Sequence, residues 1–343
     1  MEDQAEKLRE IVRQKNGAGD QAPGTSGEDF LTSKSPPADG ESRGSSSLSA
    51  RAYPANSPAK NTAPFYRNGD SSQRTTGGKT RIITVTSGKG GVGKTNLSVN
   101  MALAYARLGK KVIVMDADLG LANVNVMLNM IPKYNLYHVI RKQKTMKEIL
   151  VETDYGISIV AGASGFSKIA NLTEDERMNF IEELNTLTSA DIIIIDTSAG
   201  VSSNVLDFIA AADDAVIITT PEPTAITDAY GIIKIIATEY DSLNMGLKLV
   251  VNRVKSAAEA KKVADRMTNI AGQFLNLKVD YLGFIYNDEV VSQAVLRQRP
   301  FMVIDPKSKA SLCVQHIVQR MDKSELRETG GFSSMMKRFF GRT

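Results

Sequence analysis

The chain has 343 residues, 42% of them hydrophobic, enough to bury a sizeable core and still leave material for appendages. Its 42 Lys and Arg against 38 Asp and Glu give a net charge of +4, too mild for bulk electrostatics to demand nucleic acid, so any basic function is expected to be local. A single cysteine, Cys313, excludes an intrachain disulfide and any multi-cysteine zinc or iron–sulfur site within one chain. No run of about 18 apolar residues occurs, and the opening MEDQAEKLRE lacks the apolar stretch of a signal peptide, so a cytosolic address is expected.

In chain order, the first expected element is a short helix from Asp3 to Gln14. Asp3 and Glu6 have capping-box spacing, and Ala5, Leu8, Ile11 and Val12 gather on one face. An isolated helix of that length is marginal in water and is expected to order only against a partner, which makes 1–14 a candidate partner-binding arm. From residue 15 to 79 the composition turns to Gly, Ser, Pro, Asn, Thr and Ala, too poor in aliphatic clusters to offset chain entropy. That segment is expected to be a flexible tether.

The folded domain is expected over 80–328. The runs RIITVTS, KVIVMD, ISIVAG, DIIIID, DAVIITT, LKLVVN and VDYLGFIY are mostly apolar rather than alternating, which suits parallel strands covered on both faces. Helical patterns lie between them at Thr95 to Leu108, Glu174 to Leu187, Thr224 to Tyr240 and Ala257 to Phe274. The alternation predicts a doubly wound, mostly parallel α/β sheet with helices on both faces. No internal repeat is found.

The loop Gly88 to Thr95 reads G-x-x-x-x-G-K-T, follows a strand and opens a helix. Gly88, Gly90, Gly91 and Gly93 let backbone N–H groups approach phosphate oxygens, with Val92 and Asn96 completing the cradle. Lys94 is expected on the β- and γ-phosphates, and the Thr95 hydroxyl on Mg²⁺. A second lysine, Lys89, stands at the entrance of the loop.

The string S-G-K-G-G-V-G-K-T, with lysine directly after the first glycine, resembles the variant phosphate loop of the MinD/ParA class of P-loop ATPases, and the resemblance runs from about Arg81 to Arg320. In that class the second lysine crosses a dimer interface to the other subunit's nucleotide, so the resemblance implies ATP/ADP and Mg²⁺ as ligands and an ATP-bound homodimer built through Lys89. VIVMDADLGLANVNVMLN carries Asp116 and Asp118. It is similar to the family's D-x-D-x-G-L-x-N switch, which implies that Asp118 lies beside the attacking water and the metal. Asp196, in DIIIIDTSAG, is expected to hold a metal-bound water. Asn252 and Arg253 are expected at the adenine and Asn287 and Asp288 in the loop over it, with a helix cap as the alternative for the last two.

The two ends of the chain refine the resemblance. Phe332, Met335, Met336, Phe339 and Phe340 have helical i, i+3, i+4 spacing beside Lys337, Arg338 and Arg342. The stretch 329–343 is similar to the membrane-targeting helix of MinD-type proteins, implying anionic lipid as a partner and a reversible, peripheral position on the inner face of the cell membrane. A helix packed on the domain is the alternative. At the other end Asp3, Gln4, Ala5, Leu8 and Arg9 are similar to the N-terminal D-Q-A-x-x-L-R motif of the FlhG (YlxH, FleN) family, ATPases that govern flagellar number and placement. That likeness implies stimulation of the flagellar SRP-type GTPase FlhF and contact with flagellar basal-body or C-ring proteins.

Rival readings fit less well. A DNA-bound partition ATPase of ParA type would show surface Lys/Arg clusters without a Met/Phe tail, and no sequence-specific nucleic acid is expected. A cell-division MinD would lack the arm. Nitrogenase-reductase relatives need paired cysteines, and a tyrosine kinase of this fold would end in clustered tyrosines.

Overall fold

The computed structural model describes residues 80–118, 122–162, 179–180, 182–184, 186–187, 189–239 and 245–323. The expected arm, tether and amphipathic tail lie outside the described residues, as do residues 119–121 of the switch string and much of the expected helix at Glu174 to Leu187.

The described strands are β1 (Arg81–Ser87), β2 (Val112–Ala117), β3 (Leu150–Glu152), β4 (Ser158–Val160), β5 (Ile192–Ala199), β6 (Asp214–Thr219), β7 (Gly246–Val254) and β8 (Asp280–Tyr286). They form one sheet in the order β3-β4-β2-β5-β1-β6-β7-β8. Every pairing is parallel except β3 with β4. The expected doubly wound sheet is thus observed, and its seven anticipated strands are joined by an eighth. β3 is a three-residue edge strand, too short to carry a periodic signal.

The longer helices are α1 (Lys94–Arg107), α5 (Ser203–Ala211), α6 (Pro223–Glu239), α7 (Ala257–Leu275), α8 (Glu289–Leu296) and α10 (Lys309–Lys323). Shorter turns are α2 (Val124–Met127), α3 (Leu136–Ile140), α4 (Met146–Ile149) and α9 (Phe301–Ile304). Helix starts follow local chemistry: the Ser256 hydroxyl accepts the Glu259 N–H at the start of α7, and Thr145 and Glu148 form a reciprocal capping box on α4. At the far end of α7, Asn276 takes a left-handed conformation, φ 48°, that stops the helix.

Apolar side chains of the central strands separate onto two faces, as a covered parallel sheet requires. Ile83 and Val85 of β1 pack with Leu97, Met101 and Tyr105 of α1 and with Val314 and Ile317 of α10. Ile82, Met115, Ile193 and Ile195 turn the other way, onto Leu136, Val139 and Met146. A third cluster joins β6 and β7 to α6 and α7 through Ile217, Leu249, Ile232, Ile236, Val263 and Met267. The buried Arg81 guanidinium donates to the Asp214 carboxylate at 2.8 and 2.6 Å and to the Met321 carbonyl at 2.8 Å, tying the end of α10 to the start of β1. The carboxyl ends of β2, β5 and β1 therefore stand side by side at the centre of the sheet, where open α/β folds place their ligands.

Candidate nucleotide-binding site

The parallel register sets Asp196 of β5 opposite both Val85 of β1 and Asp116 of β2. The phosphate loop leaves β1 immediately beyond, and it is shaped by its glycines. Gly91 and Gly93 have φ of 76° and 104°, conformations that side chains resist. A Cβ on Gly88 would overlap the backbone of Asp228 on α6, and one on Gly93 would overlap the Asn252 amide. Gly90 has open space. Gly93 leads directly into the first turn of α1, whose N–H groups form an anion-binding end.

Lys94 is 9% exposed and donates from Nζ to Ser87 Oγ at 2.9 Å, while Ser87 Oγ donates to the Lys89 carbonyl at 2.8 Å. Burial lowers the Lys94 pKa, against the opposing pull of the Asp196 and Asp118 carboxylates. Thr95 Oγ1 donates to Asp196 Oδ2 at 2.6 Å, and Ser98 Oγ donates to Asp196 Oδ1 at 2.9 Å. Burial pushes the Asp196 carboxyl up to about 6, although hydrogen bonds from Thr95 and Ser98 and the charge of Lys94 pull it down. The structure brings Lys94, Thr95, Asp118 and Asp196 into one electrostatic cluster.

Asp116 and Asp118 differ in use. Asp116 is fully buried; its carboxylate accepts the backbone N–H of Asp118 at 3.0 Å, of Asn123 at 2.8 Å and of Val124 at 3.0 Å. It staples both ends of the switch string, and a Cβ on Gly162 would come within 2.9 Å of its carbonyl. Burial, with the neighbouring Asp196 charge, raises its carboxyl to about 7. Asp118 is half-buried, and its charge is felt by Lys94.

Lys89 lies apart from this cluster. Its Nζ donates to Glu222 Oε2 and to Thr224 Oγ1, both at 2.8 Å, at the start of α6, and its side chain is 38% exposed. Asn252 Nδ2 donates to the Val92 carbonyl at 2.7 Å, and its Oδ1 accepts the Arg253 N–H at 2.8 Å. Arg253 is exposed and held at φ 56°. Asn287 donates its backbone N–H to the Val254 carbonyl. Asp288 spends both oxygens on helix ends, accepting from Val290 on α8 and from Ala310 on α10, each at 3.1 Å. That geometry favours the cap alternative for Asp288. Asn96, in the first turn of α1, accepts the Asn100 amide on its carbonyl.

Sequence reasoning passes over Ser87, Ser98, Glu222, Thr224 and the stapling role of Asp116. A hydroxyl one helical turn after Lys94, in K-T-x-x-S, is a signal that could have found Ser98.

The donor set suits a nucleotide with a hard divalent cation. Among the described residues no group of three or more His, Cys, Asp or Glu side chains is arranged to hold a metal ion. The Thr95 hydroxyl, backed by a buried carboxylate, leaves other coordination positions to phosphate oxygens and water, which is how Mg²⁺ is usually held.

The profile of the CobQ/CobB/MinD/ParA nucleotide binding domain matches residues 83–301. Antiactivator FleN of Pseudomonas aeruginosa is 37% identical over 243 residues, covering 71% of this chain and 86% of FleN. The chain belongs to the MinD/ParA family of P-loop ATPases. Within it, the flagellum site-determining protein YlxH of Helicobacter pylori is 35% identical over 242 residues, 70% of this chain and 81% of YlxH, and the chain falls with FleN and YlxH in the FlhG group. MinD of Pyrococcus horikoshii, solved with Mg-ADP, shares the fold with a TM-score of 0.60 at 24% identity, covering 71% of this chain and 96% of that one. The family and the site together make the protein an ATPase that uses ATP and ADP with Mg²⁺.

Proposed function

We propose that the chain is an ATP-driven switch controlling the number and placement of flagella. The observation that supports this most is its likeness to FleN and YlxH over the whole ATPase domain. Lys94 sets its charge against the β- and γ-phosphates, Thr95 serves the Mg²⁺, and Asp118 orients the water that adds to the terminal phosphorus as the bond to the ADP oxygen breaks. Asn252, already bonded to the loop, reads the adenine with its remaining amide capacity, with Arg253 beside it and Asn287 above. Lys89 leaves Glu222 and Thr224 to reach the nucleotide of a second copy, closing a homodimer.

Two appendages carry the state of that dimer outward. The tail bearing Phe332, Met335, Met336, Lys337, Arg338, Phe339 and Phe340 attaches the dimer to anionic lipid, two weak anchors acting together. The arm bearing Asp3, Gln4, Leu8 and Arg9 stimulates the GTPase FlhF, and basal-body proteins receive the dimer. Among the described residues no helix is long and apolar enough to cross a membrane.

Deleting the gene and counting flagella per cell and their positions by electron microscopy tests the flagellar reading. The expected result is altered number or placement, restored by the wild-type gene and not by an Asp118→Ala copy. Unchanged number and position in the deletion strain would refute it.

A further inference from the structure

From residue 119 to 147 the chain contains no Asp or Glu, yet it carries Lys133, Arg141, Lys142, Lys144 and Lys147, a charge of +5 where the entire protein sums to +4. The structure gathers these cations in a short excursion over α2, α3 and α4. Lys133, Arg141, Lys142 and Lys147 are exposed, and Lys144 pairs with Glu148 at 2.8 Å. At the tip, between α2 and α3, Ile131 is 100% exposed, and Val126 nearby is 49% exposed.

A wholly exposed isoleucine in a stretch this rich in exposed cations suits insertion into a soft surface better than reception of a ligand. Nucleic acid would use the cations but gain nothing from an aliphatic tip, and it would want open aromatic faces on which bases stack. The rings here are already attended. Lys133 and Lys144 stand 5.3 and 4.8 Å from the Tyr134 ring centre, Arg141 stands 5.7 Å from that of Tyr137, and His138 meets both tyrosines edge-on. An acidic peptide would need a cleft, and a fully exposed side chain marks a projection. An anionic bilayer meets both chemistries at once, taking the apolar tip below its headgroups and the Lys/Arg ring beside its phosphates.

We infer that the Ile131 loop with its basic surround is a second membrane-contacting element, distinct from the C-terminal tail and binding anionic phospholipid. This rests on the proposal that the protein works at a membrane. The loop follows directly from the Asp118 switch string, so lipid contact and nucleotide state meet in one stretch of chain.

The full chain contains no tryptophan, so I131W introduces a single reporter. Its emission is expected to move to shorter wavelength with vesicles of mixed phosphatidylglycerol and phosphatidylcholine and to stay put with pure phosphatidylcholine. In the full chain with ATP, K133Q/R141Q/K142Q/K147Q is expected to weaken binding to the mixed vesicles about tenfold or more, since each Lys or Arg near an anionic surface strengthens binding about five-fold. Unchanged ATP turnover and circular dichroism would show these variants to be folded. If the full chain sediments with anionic vesicles while the I131W emission and the affinity of the charge variant are unchanged, the loop proposal is overturned and the tail alone attaches the protein. If the wild-type chain with ATP binds no anionic vesicle, the membrane reading fails and takes the loop with it. Emission that responds to an oligonucleotide and not to vesicles would reassign the surface to nucleic acid and overturn the proposal.

Discussion

The two ends of the phosphate loop carry a lysine each, and they are built on opposite principles. At the helix end Lys94 is buried, bonded to Ser87, and backed by an Asp196 that accepts from both Thr95 and Ser98. At the entrance Lys89 is partly exposed and tied to an exposed Glu222 and to Thr224. Buried, fully bonded charges hold one geometry because any alternative leaves a charge unpaired. Exposed ion pairs contribute little and exchange for water easily. The loop thus pairs a fixed lysine with a loosely held one, the combination that the proposed switch between one chain and its partner would need.

The largest expected effects come from breaking the fixed end. Lys94→Ala should abolish measurable ATP turnover, a loss of at least about 10²–10³-fold, the scale for removing one preorganised charge from a transition state. Phosphate release checks it, with circular dichroism to confirm folding; turnover within a few-fold of wild type would dissolve the contrast between the two lysines. Asp118→Ala should lower turnover by about 10²–10⁴-fold, the scale of general-base assistance, while ATP binding persists. ATP binding lost along with turnover would make Asp118 part of the grip instead.

A smaller effect separates the buried carboxylates from the exposed lysine. Asp116 and Asp196 have carboxyls raised to about 7 and about 6 in the fold against about 3.9 when unfolded. Between about pH 4 and 7 the folded state therefore holds more protons than the unfolded chain, so their contribution to stability falls as pH rises through that window. Asp196→Asn should flatten the decline of the nucleotide-free melting temperature between pH 4.5 and 7, values chosen to lie in that window of about three units. An unaltered slope would show that burial of Asp196 is not its source. The smallest effect is expected at the detachable end: Glu222→Gln should leave the melting temperature within experimental error and lower the ATP concentration for half-dimerisation by a few-fold. A higher concentration would mean that Glu222 helps the dimer rather than holding Lys89 back.

Much of the sheet is legible in the sequence because buried parallel strands write apolar runs with few alternatives. Expected helices at Thr95 to Leu108, Thr224 to Tyr240 and Ala257 to Phe274 match α1, α6 and α7 to within one residue at each end. Between Tyr286 and residue 323 the sequence is read only through the loop of Asn287 and Asp288, whereas this stretch folds into α8, α9 and α10. The phosphate loop is legible as well, since glycine spacing and a following helix are local. Asp116 and Glu222 are not. The carboxylate of Asp116 closes on N–H groups up to eight residues away, and Glu222 meets Lys89 across 133 residues, so their roles exist only once the loop and sheet are folded. Asp288 shows the converse, a strand-end acid whose meaning depended on which N–H groups the fold would bring to it.

The central claim, that the loop has one fixed and one detachable lysine and that the second serves a partner, is tested most directly by size-exclusion chromatography with light scattering on wild-type protein and Lys89→Ala, each with Mg-ADP and with Mg-ATP. The account predicts a monomer in ADP and a dimer in ATP for wild type, and a monomer in both for Lys89→Ala. A Lys89→Ala protein that doubles its mass with ATP as wild type does, or a wild-type mass that ignores the nucleotide, would contradict it.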